Sequence, residues 1–328
     1  MNEINVFADQ LKKKIEDANV VGIISHKSPD GDNLGSLEAM WGCLTGMDKK
    51  VIYISNDDVP ADFTFLPSTK ARVAIDDIHE PLPLIIALDS SDVHRFGPEG
   101  EALFKNAAYT VNIDHHMSND HYADLNYVSP KATSTGEVLF RIFEAMDIQL
   151  TPAMATGLYT AMSTDTGSFQ YDSVTGDTHR IIAALYDAGC DHNIMVRSVY
   201  QSMSKEKLAL HARVLSNLKF MADGKVSIAI CRLEDTNVTG APKDATEGIV
   251  EKARNIDGVE MAIFLKEKAE EVKLSFRSKS YLDCTEFASV FGGGGHIRAS
   301  GASQRDSLEN VLAKVESLVR EKIENQQR

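Results

Sequence analysis

The chain has 328 residues, about twice the size of a usual domain, so two packed domains are expected. Its composition, 43% hydrophobic and 25% charged, is typical of a globular protein and excludes a largely disordered one. With 48 acidic and 34 basic side chains the formal net charge is -14, which argues against a protein that binds long nucleic acid by neutralising many phosphates.

The first 190 residues alternate short apolar runs with helical patterns. The apolar runs are rich in β-branched residues and end in polar or turn-forming residues, which is typical of strands buried on both faces of a sheet. The alternation predicts an α/β fold, with a mostly parallel sheet flanked by helices, as a first domain over 1–190. The predicted strands are 20–25, 50–54, 82–88 and 107–113, and the predicted helices are 34–46, 134–146, 151–163 and 177–188.

A helical pattern without Gly or Pro covers 191–219 and predicts a helical linker made of one helix or a helix pair. The remaining residues, 220–328, are predicted to form a smaller α/β domain. Its predicted strands are 225–231, 259–265 and 271–277, and its predicted helices are 243–254, 283–290 and 306–325.

Cysteine usage and hydropathy indicate the compartment. Cys43, Cys190, Cys231 and Cys284 lie far apart without a C-x-x-C pair, so neither a disulfide framework nor a zinc ribbon is supported. No run of 18 apolar residues occurs, and the charged start of the chain lacks the apolar stretch of a signal peptide. The sequence therefore predicts a cytoplasmic protein without a membrane segment.

Acidic residues and histidines follow the predicted strands, at the edge of a parallel sheet where ligands bind. His26, Asp30 and Asp32 come directly after the first strand, and in a turning loop both carboxylates can point to one spot. For this segment alone, the alternative interpretation is an Asx-rich turn that caps the next helix.

Three later segments repeat the pattern. Asp89 directly follows the third strand, where leaving a buried carboxylate without a partner costs on the order of several kcal/mol. Asp114, His115 and His116 follow the fourth strand. Because adjacent side chains on an extended backbone point to opposite faces, one histidine is expected to ligate a metal and the other to meet the substrate. Asp165 follows a helix, and taken singly each of these residues can be an ordinary loop or structural residue.

Taken together, these residues predict a site with two metal ions. Five carboxylates at one edge of a sheet, those of Asp30, Asp32, Asp89, Asp114 and Asp165, would repel one another unless cations neutralised them. Carboxylates and imidazoles without a thiolate favour two Mn(II) ions, with Mg or Co as the alternatives, over zinc or copper. Two ions roughly 3.5–4 Å apart can share a hydroxide nucleophile and stabilise an in-line displacement at phosphorus.

Four segments, in this order, resemble the motifs of the DHH phosphoesterase superfamily, which includes the RecJ exonucleases. They are H-K-S-P-D-G-D-N-L-G-S at 26–36, A-L-D-S-S-D at 87–92, N-I-D-H-H at 112–116 and S-T-D-T-G at 163–167. The resemblance implies six metal ligands, with Asp89 bridging two manganese ions, His26 and Asp30 on one ion, and Asp32, His115 and Asp165 on the other.

The same resemblance implies the catalytic residues. Besides the bridging Asp89, Asp114 would orient the histidines and fix their tautomers. His116 would donate a hydrogen bond to the scissile phosphate.

The glycine-rich segment G-G-G-G-H-I-R-A-S-G at 292–301 resembles the signature of the type 1 DHH-associated domain. Consecutive glycines let backbone N–H groups approach an anion closely, whereas a flexible glycine loop is the alternative interpretation. An arginine on a facing strand would clamp a phosphate bidentately. The substrate-binding residues implied by the resemblance are Arg277, Ser278, Gly293, Gly294, Gly295 and His296.

The resemblance is closest to the stand-alone bacterial nanoRNase (oligoribonuclease) and pAp phosphatase branch. It implies manganese-dependent hydrolysis of short oligoribonucleotides to nucleoside monophosphates, of 3′-phosphoadenosine 5′-phosphate (pAp) to AMP, or of both. The partners would be these small nucleotides and a second copy in a homodimer, with no long duplex nucleic acid and no membrane. The alternatives are a phosphodiesterase acting on cyclic di-AMP or its linear product pApA, a family II-like pyrophosphatase, and a non-catalytic nucleotide sensor.

Overall fold

A computed structural model describes residues 3–242 and 244–324 of the chain. The chain divides into two compact units, Met1–Ser202 and Met203–Arg328, here called unit 1 and unit 2. The division falls inside the predicted linker, where residues 201–204 separate two helical stretches and Lys219 already begins a strand. The first residue of the predicted helix 243–254 and the last residue of the predicted helix 306–325 lie outside the described residues.

Unit 1 is built on a sheet of six strands that all run parallel, in the order β3-β2-β1-β4-β5-β6. The sheet is mostly apolar along its central strands because helices cover both faces, which confirms the predicted α/β architecture. The strands are β1 Val20–Ile24, β2 Lys50–Ile54, β3 Arg72–Val73, β4 Leu84–Leu88, β5 Thr110–Asp114 and β6 Leu125–Val128.

The helices of unit 1 begin with side-chain caps where the sequence supplies Asp, Ser or Thr, as at Asp30, Ser134 and Thr151. Single turns of 3-10 helix lie at Ala61–Phe63, Pro67–Ala71, Ile75–Asp77 and Val93–Phe96, and a π turn at Val196–Tyr200. The α-helices are α1 Glu3–Asp17, α2 Gly31–Gly46, α3 Gly97–Lys105, α4 Thr135–Ala145, α5 Pro152–Asp165, α6 Gly176–Asp187 and α7 His192–Met195.

Helices α2 and α5 touch backbone to backbone. A Cβ added at Gly35 would lie 2.3 Å from the Gly157 carbonyl oxygen, and one added at Gly157 would lie 2.6 Å from the Gly35 oxygen. One turn earlier on α2, a Cβ at Gly31 would lie 2.4 Å from Thr164 Oγ1. The start of α2 therefore lies directly beside the end of α5.

Unit 2 contains a mixed six-stranded sheet in the order β11-β12-β10-β9-β8-β7, in which β8 and β9 are parallel and the other neighbours antiparallel. One apolar cluster lies on each side of it. Its strands are β7 Lys219–Met221, β8 Val226–Cys231, β9 Met261–Glu267, β10 Val272–Ser278, β11 Gly294–His296 and β12 Ala299–Gln304. Its helices are α8 Lys205–Leu215, α9 Leu233–Thr239, α10 Ile249–Arg254, α11 Cys284–Val290 and α12 Leu308–Val319, followed by a π turn at Arg320–Glu324.

Several elements differ from the sequence-based expectation. Part of the glycine-rich segment is the edge strand β11, and the helix expected from residue 243 begins at Ile249.

The four cysteines are free thiols. Within the described part of the chain, no helix is long and apolar enough to cross a membrane.

Candidate metal centre

The strand order of unit 1 reverses between β1 and β4. The loops that follow these two strands carry two of the predicted metal ligands, His26 and Asp89. In parallel sheets such a switch point opens a crevice at the carboxyl ends of the strands. His26 follows β1, and Asp89 directly follows β4 with a left-handed φ of 58°. Asn33 joins the two loops, because its Nδ2 donates to the Leu88 carbonyl at 2.9 Å and its Oδ1 accepts from Ser25 Oγ at 2.5 Å.

Two groups of three potential ligands lie on either side of Asp89, which belongs to the first group and lies close to His115 of the second. Its Oδ2 lies 3.7 Å from His26 Nε2, and its Oδ1 lies 3.7 Å from His115 Nε2. His115 Nε2 also lies 3.4 Å from Asp165 Oδ2. The first group contains His26, Asp30 and Asp89, and the second contains Asp32, His115 and Asp165; a third group, Asp89, His115 and His116, overlaps both.

His26 provides the test of whether these residues fit a metal ion. Its Nδ1 lies 2.9 Å from the Lys27 carbonyl oxygen, to which it can donate, and its buried Nε2 has no hydrogen-bond partner among the described residues. The carboxylate oxygens nearest to Nε2, on Asp89 and Asp30, are 3.7 and 4.0 Å away, too far for hydrogen bonds. A nitrogen held by its other ring N–H and aimed at two carboxylates fits a metal ligand.

The electrostatics of the cluster also indicate cations. Desolvation raises the pKa of Asp32 well above its usual range, and the charges of Asp89 and Asp165 raise it further. Desolvation, followed by the charges of Asp89 and Asp30, raises the pKa of Asp165 to about 7. Desolvation also disfavours ionised Asp89, but His26 and the two later histidines outweigh it and lower its pKa. Oxygen and imidazole donors with this surplus of negative charge suit hard divalent cations.

Asp32 is held by the start of helix α4. Its Oδ2 accepts the Thr135 N–H at 2.7 Å and its Oδ1 accepts the Gly136 N–H at 3.0 Å. These amides have no partner within their own helix, and the positive end of the helix dipole favours a carboxylate there. Thr135 Oγ1 donates in addition to Asp89 Oδ1 at 3.0 Å, so one helix start orients a ligand of each group.

Asp114 is fully buried and accepts three hydrogen bonds from neighbouring loops. Its Oδ1 accepts the His115 backbone N–H at 2.8 Å and lies 2.7 Å from His116 Nδ1. Its Oδ2 accepts Asn119 Nδ2 at 2.6 Å. This arrangement suits a carboxylate that sets the orientation of His116.

The two adjacent histidines do not follow the expected alternation between opposite faces. Their rings are 4.7 Å apart, and His115 Nε2 and His116 Nδ1 each lie 3.7 Å from the same oxygen of Asp89. The reason is that β5 ends at Asp114, so the pair lies beyond the extended strand. His116 is the more exposed of the two, at 25% against 13% of its side chain.

Apart from Asp114, the residues that orient the ligands were not found from the sequence. Asn33, Thr135 and Asn119 are buried and connect separate loops, yet each lies in a polar segment without periodicity. The Ser90 carbonyl collects hydrogen bonds from Asn119 and Tyr122 in the same way. The one available signal was that Asn33 adjoins the acidic segment after β1.

In unit 2, β12 lies between the two strands that carry the predicted substrate-binding residues. Ala299 of β12 is opposite His296 on one side and Arg277 on the other, which places these side chains on one face of the sheet. Arg277 Nε donates to Glu251 Oε1 at 3.1 Å, so a phosphate would compete with Glu251 for it. Ser278 is buried and faces Ile297.

Two glycines of the glycine-rich segment, Gly293 just before β11 and Gly295 within it, are in close contact with β12. A Cβ at Gly293 would lie 2.1 Å from the Gly301 carbonyl oxygen. Gly295 has a φ of 139°, and a Cβ there would lie 2.6 Å from the Ala299 oxygen. Gly294 between them is exposed, with open space where a Cβ would be, so the side of β11 that it presents is accessible.

Family models match both units. Residues 20–162 match the N-terminal domain of the DHH family, and residues 224–321 match the DHHA1 domain. The chain belongs to the DHH family. Members of this family are phosphoesterases, and the chain is a hydrolase that acts on phosphoester bonds.

Individual relatives align with this DHH protein over nearly its whole length. It is 29% identical to a bifunctional oligoribonuclease and PAP phosphatase NrnA of Thermus thermophilus over 92% of this chain and 89% of that protein. It is 30% identical to an exopolyphosphatase-related protein from Bacteroides fragilis, with a TM-score of 0.90 over 97% of this chain and 96% of that one. RecJ from Thermus thermophilus shares the fold at 13% identity and a TM-score of 0.54, over 98% of this chain and 55% of that one.

Proposed function

We propose that the protein is a manganese-dependent phosphoesterase with two metal ions. Its substrates are short oligoribonucleotides, which it cleaves to nucleoside monophosphates, and pAp, which it converts to AMP. The observation that carries the proposal is the position of Asp89, which turns one oxygen toward His26 and the other toward His115. A carboxylate shared in this way is what two neighbouring ions require.

Different residues of unit 1 are proposed to bind the metal ions and to contact the substrate. His26 and Asp30 would hold one ion, Asp32, His115 and Asp165 the other, and Asp89 both. When bound, two divalent ions lower the pKa of a shared water and polarise the phosphoryl oxygens. Asp114 accepts a hydrogen bond from His116 Nδ1. Burial alone would lower the pKa of His116, but Asp114 and Asp89 raise it to about 9, so the protonated ring also carries an Nε2–H that we propose donates to the scissile phosphate.

The charge distribution supports a small substrate. Residues 1–190 contain 28 acidic and 13 basic side chains, whereas the remainder contains 20 acidic and 21 basic ones. Neither part has the excess of basic residues with which proteins bind long nucleic acid. The names of relatives support the proposal further, because the similar Thermus protein is an oligoribonuclease and PAP phosphatase and the RecJ structure contains Mn2+.

Six residues of unit 2 are proposed to bind the substrate: Arg277, Ser278, Gly293, Gly294, Gly295 and His296. Exposed Gly294 offers a backbone that an anion can approach, and Arg277 lies on the same face as His296. Release of Arg277 from Glu251 would make its guanidinium available to a phosphate. The homodimer and the cytoplasmic location stay predictions, of which light scattering on the purified protein tests the first.

A substrate panel tests the proposal. The purified protein is assayed in Mn2+, Mg2+ or Co2+ with pAp, two- to five-residue RNA, pApA, cyclic di-AMP and pyrophosphate. We expect the largest kcat/KM in Mn2+ with short RNA or pAp. Preference for cyclic di-AMP or pApA would support the alternative phosphodiesterase, and preference for pyrophosphate the pyrophosphatase. Nucleotide binding without hydrolysis of any of them would support the sensor and overturn the proposal.

Replacement of Asp89 tests the bridging role. Asp89→Asn keeps the shape of the side chain but removes the charge shared between the two groups, so nearly all activity should be lost. Asp124→Asn is the matched control, because Asp124 lies in the same unit and, within residues 3–242 and 244–324, its side chain accepts hydrogen bonds only from Thr110. An Asp89→Asn variant that retained more than about a tenth of the turnover would contradict a bridging ligand.

A further inference from the structure

We propose that Arg95, with Lys27 beside it, binds the phosphate that reacts at the metal centre. The inference rests on the proposed function and adds a cation to a site otherwise described by acidic residues and histidines. Arg95 lies in the 3-10 turn Val93–Phe96 after β4, and one of its terminal nitrogens is 3.3 Å from His26 Nδ1. The Lys27 N–H donates to the Arg95 carbonyl at 2.8 Å, so the backbones of these two residues join the loops after β1 and β4.

In the part of the chain that the structure describes, Arg95 and Lys27 form no direct ion pair, although desolvation raises the pKa of nearby Asp30 and the charge of Arg95 acts against that rise. Of the four other arginines of unit 1, three are paired with carboxylates, Arg72 with Asp58, Arg141 with Glu137 and Arg180 with Asp177, and Arg197 donates to the Asn193 carbonyl. Among residues 3–242 and 244–324, neither Arg95 nor Lys27 makes an ion pair, although the densest group of carboxylates in the unit is adjacent. An exposed guanidinium at such a position is available to an anion that arrives with the substrate.

The contact of Arg95 with His26 does not satisfy the guanidinium. The Lys27 carbonyl, 2.9 Å from His26 Nδ1, is the acceptor for the proton on that nitrogen. A guanidinium has only N–H donors, so it cannot bond to a ring nitrogen that is itself donating. When His26 presents Nε2 to a metal ion, Arg95 must therefore find another acceptor. A phosphate oxygen beside that ion provides one, in the planar geometry that suits arginine.

Lys27 is directed to the same edge by the start of α3. A Cβ added at Gly97 would lie 2.3 Å from Lys27 Cε and 2.6 Å from its Nζ, so glycine leaves the space in which the lysine lies. Gly97 follows the 3-10 turn that carries Arg95. Arg95 thus lies beside His26 and Lys27 is the residue that follows His26, so two cations from different loops add positive charge that favours an incoming phosphate.

Binding of inorganic phosphate, the simplest probe of this edge, tests the inference. Arg95→Ala, Arg95→Lys and Lys27→Ala are titrated with phosphate by calorimetry in saturating Mn2+. Arg180→Ala serves as the control, because Arg180 is an exposed arginine of the same unit that pairs with Asp177. We expect the phosphate Kd and the substrate KM of Arg95→Ala to rise by about tenfold or more, from loss of a hydrogen bond between charged groups. Arg95→Lys should recover part of the loss, and Arg180→Ala should match the wild type.

A separate titration with Mn2+ alone distinguishes phosphate binding from support of His26. The Mn2+ affinity of Arg95→Ala should stay within about twofold of the wild type, since His26 keeps its bond to the Lys27 carbonyl. Unchanged phosphate affinity, or a loss of Mn2+ affinity that accounts for the phosphate effect, would overturn the inference. If the wild type hydrolyses substrates of the panel but Arg95→Ala binds phosphate as tightly as the wild type, the role of Arg95 is refuted and the proposed activity stands. If the wild type hydrolyses none of the substrates but its phosphate affinity still depends on Arg95, only the proposed activity is refuted.

Discussion

The hydrogen bonds of Asp114 make Asp114→Asn a sharp perturbation of the site. The carboxylate accepts two N–H groups at Oδ1 and one at Oδ2, and asparagine retains a single acceptor. If that oxygen faces the histidines, the new NH2 meets the NH2 of Asn119. Asn119 cannot simply turn over, because its Oδ1 accepts the His121 N–H at 2.8 Å and its Nδ2 also donates to the Ser90 carbonyl. The opposite orientation would present the new NH2 to the His115 N–H.

Asp114→Asn therefore loses one bond to a charged acceptor and leaves a buried donor unpaired. The free energy of unfolding should fall by about 2–4 kcal/mol, measured by urea denaturation in EDTA so that metal binding does not contribute. Activity in Mn2+ should fall by about 10- to 100-fold, as for other residues that orient metal ligands. Asp124→Asn is again the control, since one oxygen can still accept both bonds from Thr110. An Asp114→Asn variant with the stability and turnover of this control would refute the reasoning.

Three further predictions concern packing, substrate binding and metal. Gly35→Ala should lower the unfolding free energy by about 1–3 kcal/mol, because its Cβ would lie 2.3 Å from the Gly157 oxygen, whereas Gly46→Ala in the same helix, with open space around it, should not destabilise the fold. Arg277→Ala should raise the substrate KM more than it lowers kcat, and Lys279→Ala should change neither; equal kinetics for the two variants would remove Arg277 from the site. Excess Mn2+ should raise the Tm of the EDTA-treated protein, and an unchanged Tm would contradict a metal centre.

The elements predicted correctly from the sequence are those with a strong local pattern. β4, with five consecutive buried apolar residues, and α5, with a Thr cap followed by Pro, could be read directly. β6 is an edge strand with every residue half-buried, and β3 has two residues, so neither leaves an apolar run. β11 consists mainly of glycine, which has no side chain to give a pattern.

For the site too, the residues predicted correctly are those with a strong local sequence pattern. Asp89 and His26 stood out because charged and imidazole groups follow buried strands. Thr135 and Asn119 did not, because their roles depend on loops that are distant in sequence and meet only in the folded unit. Arg95 was overlooked for a similar reason, since its neighbour His26 is 69 residues away.

The backbone contact between α2 and α5 has a consequence for how the metal centre tolerates sequence change. Asp32 lies one turn before Gly35, and Asp165 is the last residue of the helix that contains Gly157. Their separation is set by main-chain atoms in contact, not by the sizes of side chains between the helices. Apolar residues elsewhere in the core can therefore be exchanged over generations without moving the two carboxylates apart. The two glycines therefore make the distance between the two carboxylates independent of apolar substitutions in the surrounding core.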